Sequence, residues 1–156
     1  MARHRSETGL RPVEPADVAD VREFLQRVDL TLAGLDAPAV RLWAERDDRN
    51  EIVGSTGFEL SADGEHALIR SVAVAPGRRA VGAGTRLAQL ALDEARAAGV
   101  RRAWLFSRRS GPFWQKLGFT SADRDELAAA LPDAHQVVLF RQTGQLEREV
   151  AWSRAL

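Results

Sequence analysis

Between Ser71 and Leu87 the chain reads Ser-Val-Ala-Val-Ala-Pro-Gly-Arg-Arg-Ala-Val-Gly-Ala-Gly-Thr-Arg-Leu, and these residue types at this spacing make an anion-binding device. Val72 and Val74 are β-branched residues at strand spacing, Pro76 cannot donate to a ladder and so ends the pairing, and Gly77 lets the chain reverse. Arg79 adds positive charge, and the small residues Gly82 and Gly84 let backbone N–H groups approach a ligand closely. A helix starting near Thr85 offers unpaired donors and the positive end of its dipole. On these residues alone an ordinary glycine-rich turn between strand and helix remains the alternative.

Elimination narrows the anion. A Walker A loop needs Gly-Lys-Ser/Thr after its glycines, and the one Lys of the chain is Lys116, far downstream. A Rossmann fingerprint needs a third small residue where Leu87 stands, and its βαβ unit belongs near the start of a domain. Neither fits. A second segment, Gly111-Pro-Phe-Trp-Gln-Lys-Leu-Gly-Phe119, reads as a short helix followed by a strand: Pro112 suits the first turn, Gly118 a left-handed exit, and Phe119 a return to extended chain.

With the Val-x-Val strand before it, Arg79-x-x-Gly82-x-Gly84 resembles the acetyl-CoA signature of the GNAT superfamily of N-acetyltransferases. The segment 111–119 resembles the short helix and Leu-Gly-Phe that those proteins carry after their fifth strand. The stretches Leu68-x-Arg-Ser-Val-Ala-Val74 and Asp123-Arg-Asp125 are further similar to the small bacterial arsenic-resistance N-acetyltransferase group. The resemblance covers residues 8–156 as a single domain, with residues 1–7 expected to form a disordered arm. It implies an α/β fold of the α+β type, with a mixed, mostly antiparallel central sheet flanked by helices and two parallel central strands that splay apart. It also implies acetyl-CoA as co-substrate. Backbone groups of Val72, Ala73 and Val74 would lie beside the pantetheine and acetyl group, Arg79, Ala80, Val81, Gly82, Ala83, Gly84 and Thr85 around the pyrophosphate, and Phe113 and Trp114 on the cofactor side of the short helix.

Acetyl transfer from a thioester to an amine needs a neutral amine, a donor for the carbonyl oxygen and a proton for the leaving thiolate. Many relatives use a Tyr as acid in the short helix; this chain has no Tyr, and Trp114 stands in its place with an indole N–H that cannot deliver a proton. Ser107, at the end of the preceding strand, is the candidate acid or water-positioning group, and capping a turn with Ser110 is its structural alternative. Glu59, Glu65 and His66 are the candidate bases, with Glu59 preferred because it lies opposite Phe58 and Leu60 on its strand. His4 falls in the expected arm, and His135 has no partner recognisable in the sequence. Arg70 interrupts the apolar series Leu68, Val72, Val74 on one strand face and needs an anionic partner. That partner is either a carboxylate such as Glu59 or the carboxylate of a substrate.

The chain of 156 residues is long enough for one domain, and 45% hydrophobic residues suffice for its core. Zero Cys excludes a disulfide framework and a thiolate site, and fits a reducing cytoplasm. Zero net charge argues against nucleic acid or an anionic membrane as partner, and no apolar run behind the basic start predicts a signal or anchor. No metal site is expected from three scattered His. The expected activity is acetyl-CoA-dependent N-acetylation of the primary amine of a small molecule, an amino acid or an amino-acid-like antimetabolite. A non-catalytic acyl-CoA sensor of the same fold and a protein N-terminal or lysine acetyltransferase are the alternatives, and a homodimer is left open.

The elements that must position these residues follow from periodicity. Thr8 to Val13 reads as a strand stopped by proline, and Ala16 to Val28 as an amphipathic helix. A short helix is expected within Leu30 to Leu42, ahead of a strand around Val40 to Ala44. Glu51 to Leu60 and His66 to Val74 read as a hairpin across Ser61 to Glu65. Thr85 to Ala98 reads as a helix closed by Gly99, Arg101 to Phe106 as a parallel strand, and Asp125 to Leu131 as a helix. Gln136 to Arg141 and Glu147 to Arg154 read as a closing hairpin around Thr143-Gly144, with a helix over Val137 to Phe140 as the alternative.

Overall fold

The computed structural model describes residues 9–78 and 82–156, so the expected arm at 1–7, His4, Thr8 and the loop residues Arg79, Ala80 and Val81 lie outside the described residues. The elements in chain order are β1 (Leu10–Pro12), α1 (Val18–Arg27), β2 (Val40–Arg46), β3 (Ile52–Leu60), β4 (His66–Val74), α2 (Ala83–Ala97), β5 (Arg102–Phe106), α3 (Gly111–Lys116), β6 (Thr120–Ala122), α4 (Arg124–Ala130), α5 (His135–Thr143) and β7 (Ala151–Ala155). The strands hydrogen-bond in the order β1-β2-β3-β4-β5-β7-β6. Pairs β1–β2, β5–β7 and β6–β7 are antiparallel, whereas β4–β5 is parallel. The parallel ladder joins His66, Ala67 and Leu68 to Arg102, Ala103 and Trp104, and both strands run on past it.

The chain folds as two compact bodies, the first containing residues up to Phe58 and Ser71–Ala91, the second Glu59–Arg70 and Leu92–Leu156. In the first body, α1 buries Val21, Phe24 and Leu25 against Val40, Leu42, Ala44 and Ile52, as its periodicity requires. Arg46 Nη2 fastens the start of α1 to β2 through Asp17 Oδ1 and Asp20 Oδ2, each at 3.0 Å. No helix forms between Leu30 and Leu42: Gly34 (φ +71°) and Pro38 break the segment into turns, which corrects the expectation. β3 passes β2 so closely at Gly57 that a methyl there would collide with the Arg41 carbonyl oxygen and with Leu42 Cδ2, so only glycine admits this pairing.

In the second body, Leu68 and Trp104 pack with Leu127, Ala128, Leu131, Ala134 and Val137. Asp123 caps α4 by accepting from the N–H of Asp125 at 2.6 Å and of Glu126 at 3.3 Å, a helix start legible in Asp-Arg-Asp-Glu. The expected closing hairpin gives way to its alternative: residues 135–143 are helical, as allowed for Val137 to Phe140, and Glu147 to Arg154 supplies only the strand β7, which enters between β5 and β6. Two end signals make the helix. Gly144 at φ +75° closes it, and at its start the Glu59 carboxylate, 76 residues away in sequence, accepts the His135 N–H. No helix among the described residues is long and apolar enough to cross a membrane.

Candidate functional site

In the first body, β4, the loop after it and the start of α2 surround a cavity of about 610 Å³, lined by Glu45, Val53, Val74, Pro76, Gly77, Arg78, Ala83, Arg86 and Leu87. Gly82 adopts φ +83°, a left-handed conformation natural to glycine, and among the described residues nothing stands within 4 Å of where its Cβ would be. Ala83, Gly84 and Thr85 form the first turn of α2, where N–H groups have no partner within the helix. Arg86 and Arg78 flank the cavity, bound to Glu45 Oε1 at 2.8 Å and Asp47 Oδ2 at 2.9 Å. The Glu51 and Arg49 N–H groups hold the Asp47 carboxyl below the usual carboxylate range, helped by the Arg78 charge. The arrangement therefore offers an elongated polyanion main-chain donors, with neighbouring cations already paired to carboxylates.

β4 carries a feature that periodicity does not reveal. Ser71 has φ +62°, in a strand where residues are otherwise extended, at a cost on the order of 1–3 kcal/mol. Its carbonyl accepts from Ser55 Oγ at 2.6 Å, and the neighbouring Thr56 Oγ1 donates to the Leu87 carbonyl of α2 at 2.7 Å. Both hydroxyl residues are essentially unexposed. Two consecutive β3 residues, pointing to opposite faces, thus anchor the strand before the loop and the helix after it. The Gly-Ser-Thr-Gly run at 54–57 was the available signal, two buried hydroxyls between small residues in an apolar strand. Val72, Ala73 and Val74 follow Ser71, half-buried.

In the second body, Ser107 is half-buried and its backbone is fixed on both sides: its N–H donates to the Val150 carbonyl and its carbonyl accepts from Trp152 Nε1, each at 2.9 Å. Its Oγ accepts from the Ser110 N–H at 3.0 Å, the turn contact named as its structural alternative. Trp114 is buried, edge-on to Phe113 (5.0 Å between centroids) and to Phe119 (5.4 Å). Gly111 accommodates Trp152: a Cβ there would stand 2.9 Å from its Cζ2.

Glu59 and Arg70 come together. The Arg70 side chain is 0% exposed and its Nη1 lies 3.5 Å from Glu59 Oε1, itself 2% exposed. Burial pulls the Arg70 pKa below its ordinary value while the Glu59 charge and hydrogen bond oppose this. The other Glu59 contacts are with His135: its N–H reaches both carboxylate oxygens at 3.1 Å, and Nδ1 lies 2.7 Å from Oε2. His66 Nδ1 accepts from Trp104 Nε1 at 3.0 Å, and the exposed Glu65 faces Arg101 at 3.7 Å.

The model of the acetyltransferase (GNAT) family matches residues 4–119. No curated protein matches the chain. In fold it is similar to N-acetylglutamate synthase from Neisseria gonorrhoeae, solved with coenzyme A and N-acetyl-glutamate, at 21% identity over 95% of this chain and 35% of that one, with a TM-score of 0.70. It is also similar to Rv2747 from Mycobacterium tuberculosis, solved in complex with CoA (17% identity, 94% and 98% covered, TM-score 0.71). A third likeness is to an acetyltransferase of the GNAT family from Staphylococcus aureus (13% identity, 95% and 99% covered, TM-score 0.69). The chain spans about a third of the length of the N-acetylglutamate synthase. A family match over most of the chain, on a sheet with the parallel pair β4–β5 and a glycine turn opening α2, shows that the chain belongs to the GNAT family of acetyltransferases.

Proposed function

We propose that the protein is an acetyl-CoA-dependent N-acetyltransferase acting on the primary amine of a small molecule. The observation that carries this reading is the open left-handed turn at Gly82 leading into α2 beside the 610 Å³ cavity, a backbone cradle of the kind a pyrophosphate needs. The residues present fit the cofactor: Gly82 to Thr85 would hold the pyrophosphate by main-chain N–H groups, and Val72, Ala73 and Val74 would accompany the pantetheine and acetyl group. Bound acetyl-CoA supplies an acetyl thioester, already activated toward an amine. The chain's own part is to hold that strand and loop in place and to manage two protons. Ser107 keeps a hydroxyl hydrogen able to donate, since its observed contact uses only its oxygen as acceptor.

Incubating the protein with acetyl-CoA and a panel of amines, while following free CoA, tests the activity. Turnover with a small amine supports it; cofactor binding without turnover on any amine or peptide would make the chain a sensor. If water protonates the leaving thiolate, Ser107→Ala lowers turnover less than about tenfold and leaves cofactor affinity intact. A loss on the order of a hundredfold would assign the proton to Ser107.

The two β3 hydroxyls predict a separation of effects. Ser55→Ala releases the Ser71 carbonyl and should lower kcat several-fold with little change in cofactor Kd. Thr56→Val releases α2 and should weaken cofactor binding instead. Each removes one buried hydrogen bond, on the order of 1 kcal/mol. Calorimetry and steady-state kinetics on both variants check this, and equal effects on the two parameters would count against it.

A further inference from the structure

We propose that His135, oriented by Glu59, is the base that takes the proton from the acceptor amine; this rests on the acetyltransferase reading above. The imidazole stands at the first position of α5 with its side chain 42% exposed, whereas the carboxylate it contacts is 2% exposed. Glu59 is therefore enclosed and cannot itself meet a substrate, but it can act through the ring. An ionised carboxylate only accepts, so the 2.7 Å contact requires the hydrogen on Nδ1. The basic lone pair is then on Nε2, which has no protein partner among the described residues. This is the carboxylate–imidazole half of a catalytic triad, in which the acid fixes tautomer and ring orientation and stabilises the imidazolium that forms.

The other candidates lack that combination. His66 accepts from Trp104 through Nδ1, which commits its lone pair and leaves its proton on Nε2. Glu65 is exposed on a turn and faces Arg101. Arg70 already holds Glu59 through Nη1, 3.5 Å from Oε1, and its side chain is 0% exposed, so it is no base. Glu59 from β3, and Arg70 from β4 through it, are the charged groups set on the ring.

The protons balance as follows. The ammonium of the acceptor gives one proton to Nε2, which passes it to solvent. The neutral nitrogen then forms the C–N bond as the C–S bond breaks, and a second proton leaves nitrogen for sulfur. One hydrogen remains on the amide.

The test combines kinetics with a spectroscopic signature. In the parent, ¹⁵N NMR of the neutral His135 ring should report the Nδ1–H form; an Nε2–H ring overturns the inference whatever the activity. His135→Gln should lower kcat/KM by about a hundredfold or more and remove the acidic limb of its pH profile, which in the parent rises as the ring loses its proton. His135→Ala should be rescued by added imidazole, a response that a purely structural residue would not give. A variant that keeps the parent's rate and pH profile, or is slow without rescue, retires His135 as base and leaves the acetyltransferase reading standing. A parent that binds acetyl-CoA but acetylates no amine retires both.

Discussion

Gly82→Leu should abolish measurable acetyl-CoA binding while the protein stays folded. The residue is exposed and no atom of the described residues lies within 4 Å of an added Cβ, so a side chain there is compatible with the fold. The ligand does not. At φ +83° a leucine is disfavoured by roughly 1–2 kcal/mol, so the turn relaxes toward negative φ and its N–H groups swing away. Restoring them on binding would cost about five- to thirtyfold in affinity, and the isobutyl group fills the approach besides. Gly82→Ala separates the two effects, because it carries the conformational cost with little obstruction. Gly84 belongs to the first turn of α2 and is not at positive φ, so a leucine there would not carry this conformational cost. Tight binding by a folded Gly82→Leu, measured by calorimetry, would refute the assignment of this turn to the cofactor.

Arg70→Ala should strongly destabilise the protein. Removing the guanidinium leaves Glu59, at 2% exposure, with only the His135 groups to compensate its charge. Breaking a buried pair from one side costs about 3–5 kcal/mol, which for a chain of this size lowers Tm by roughly 10 °C. Glu59→Gln should do less, since an amide still accepts from the His135 N–H. The same variant tests the acceptor class. A side chain with 0% exposure, held by Glu59, reaches a substrate carboxylate only by leaving that partner. The expected result is a lower Tm with an unchanged ratio of activity on amino acids to activity on the corresponding decarboxylated amines. A preference for amino acids that disappears in Arg70→Ala, chiefly through KM, would instead place Arg70 on the substrate.

What the sequence by itself determined lies where the cause of structure is local. Pro76 and Gly77 end β4, Gly82 opens α2, Gly99 closes it, Asp123 caps α4, and Gly118 returns the chain to β6. Each acts through its own φ or through a hydrogen bond within a few residues, so type and spacing suffice to read it, and the family follows from the same residues. The tertiary structure decided what depends on residues far apart. Gln136 to Arg141 reads as a strand by its Val-Val-Leu-Phe composition, with a helix over Val137 to Phe140 as the alternative; residues 135–143 are helical, and a carboxylate 76 residues earlier accepts the first N–H. Glu59 reads from the sequence both as the preferred base and as a partner for Arg70, and alternation tells which face a side chain takes, not all that meets it there. Arg70 and His135 occupy that space, so the enclosed carboxylate orients an imidazole rather than receiving a proton itself. Ser71 is likewise indistinguishable in sequence from any strand serine. Its left-handed backbone exists in a structure where Ser55, from the neighbouring strand, holds its carbonyl.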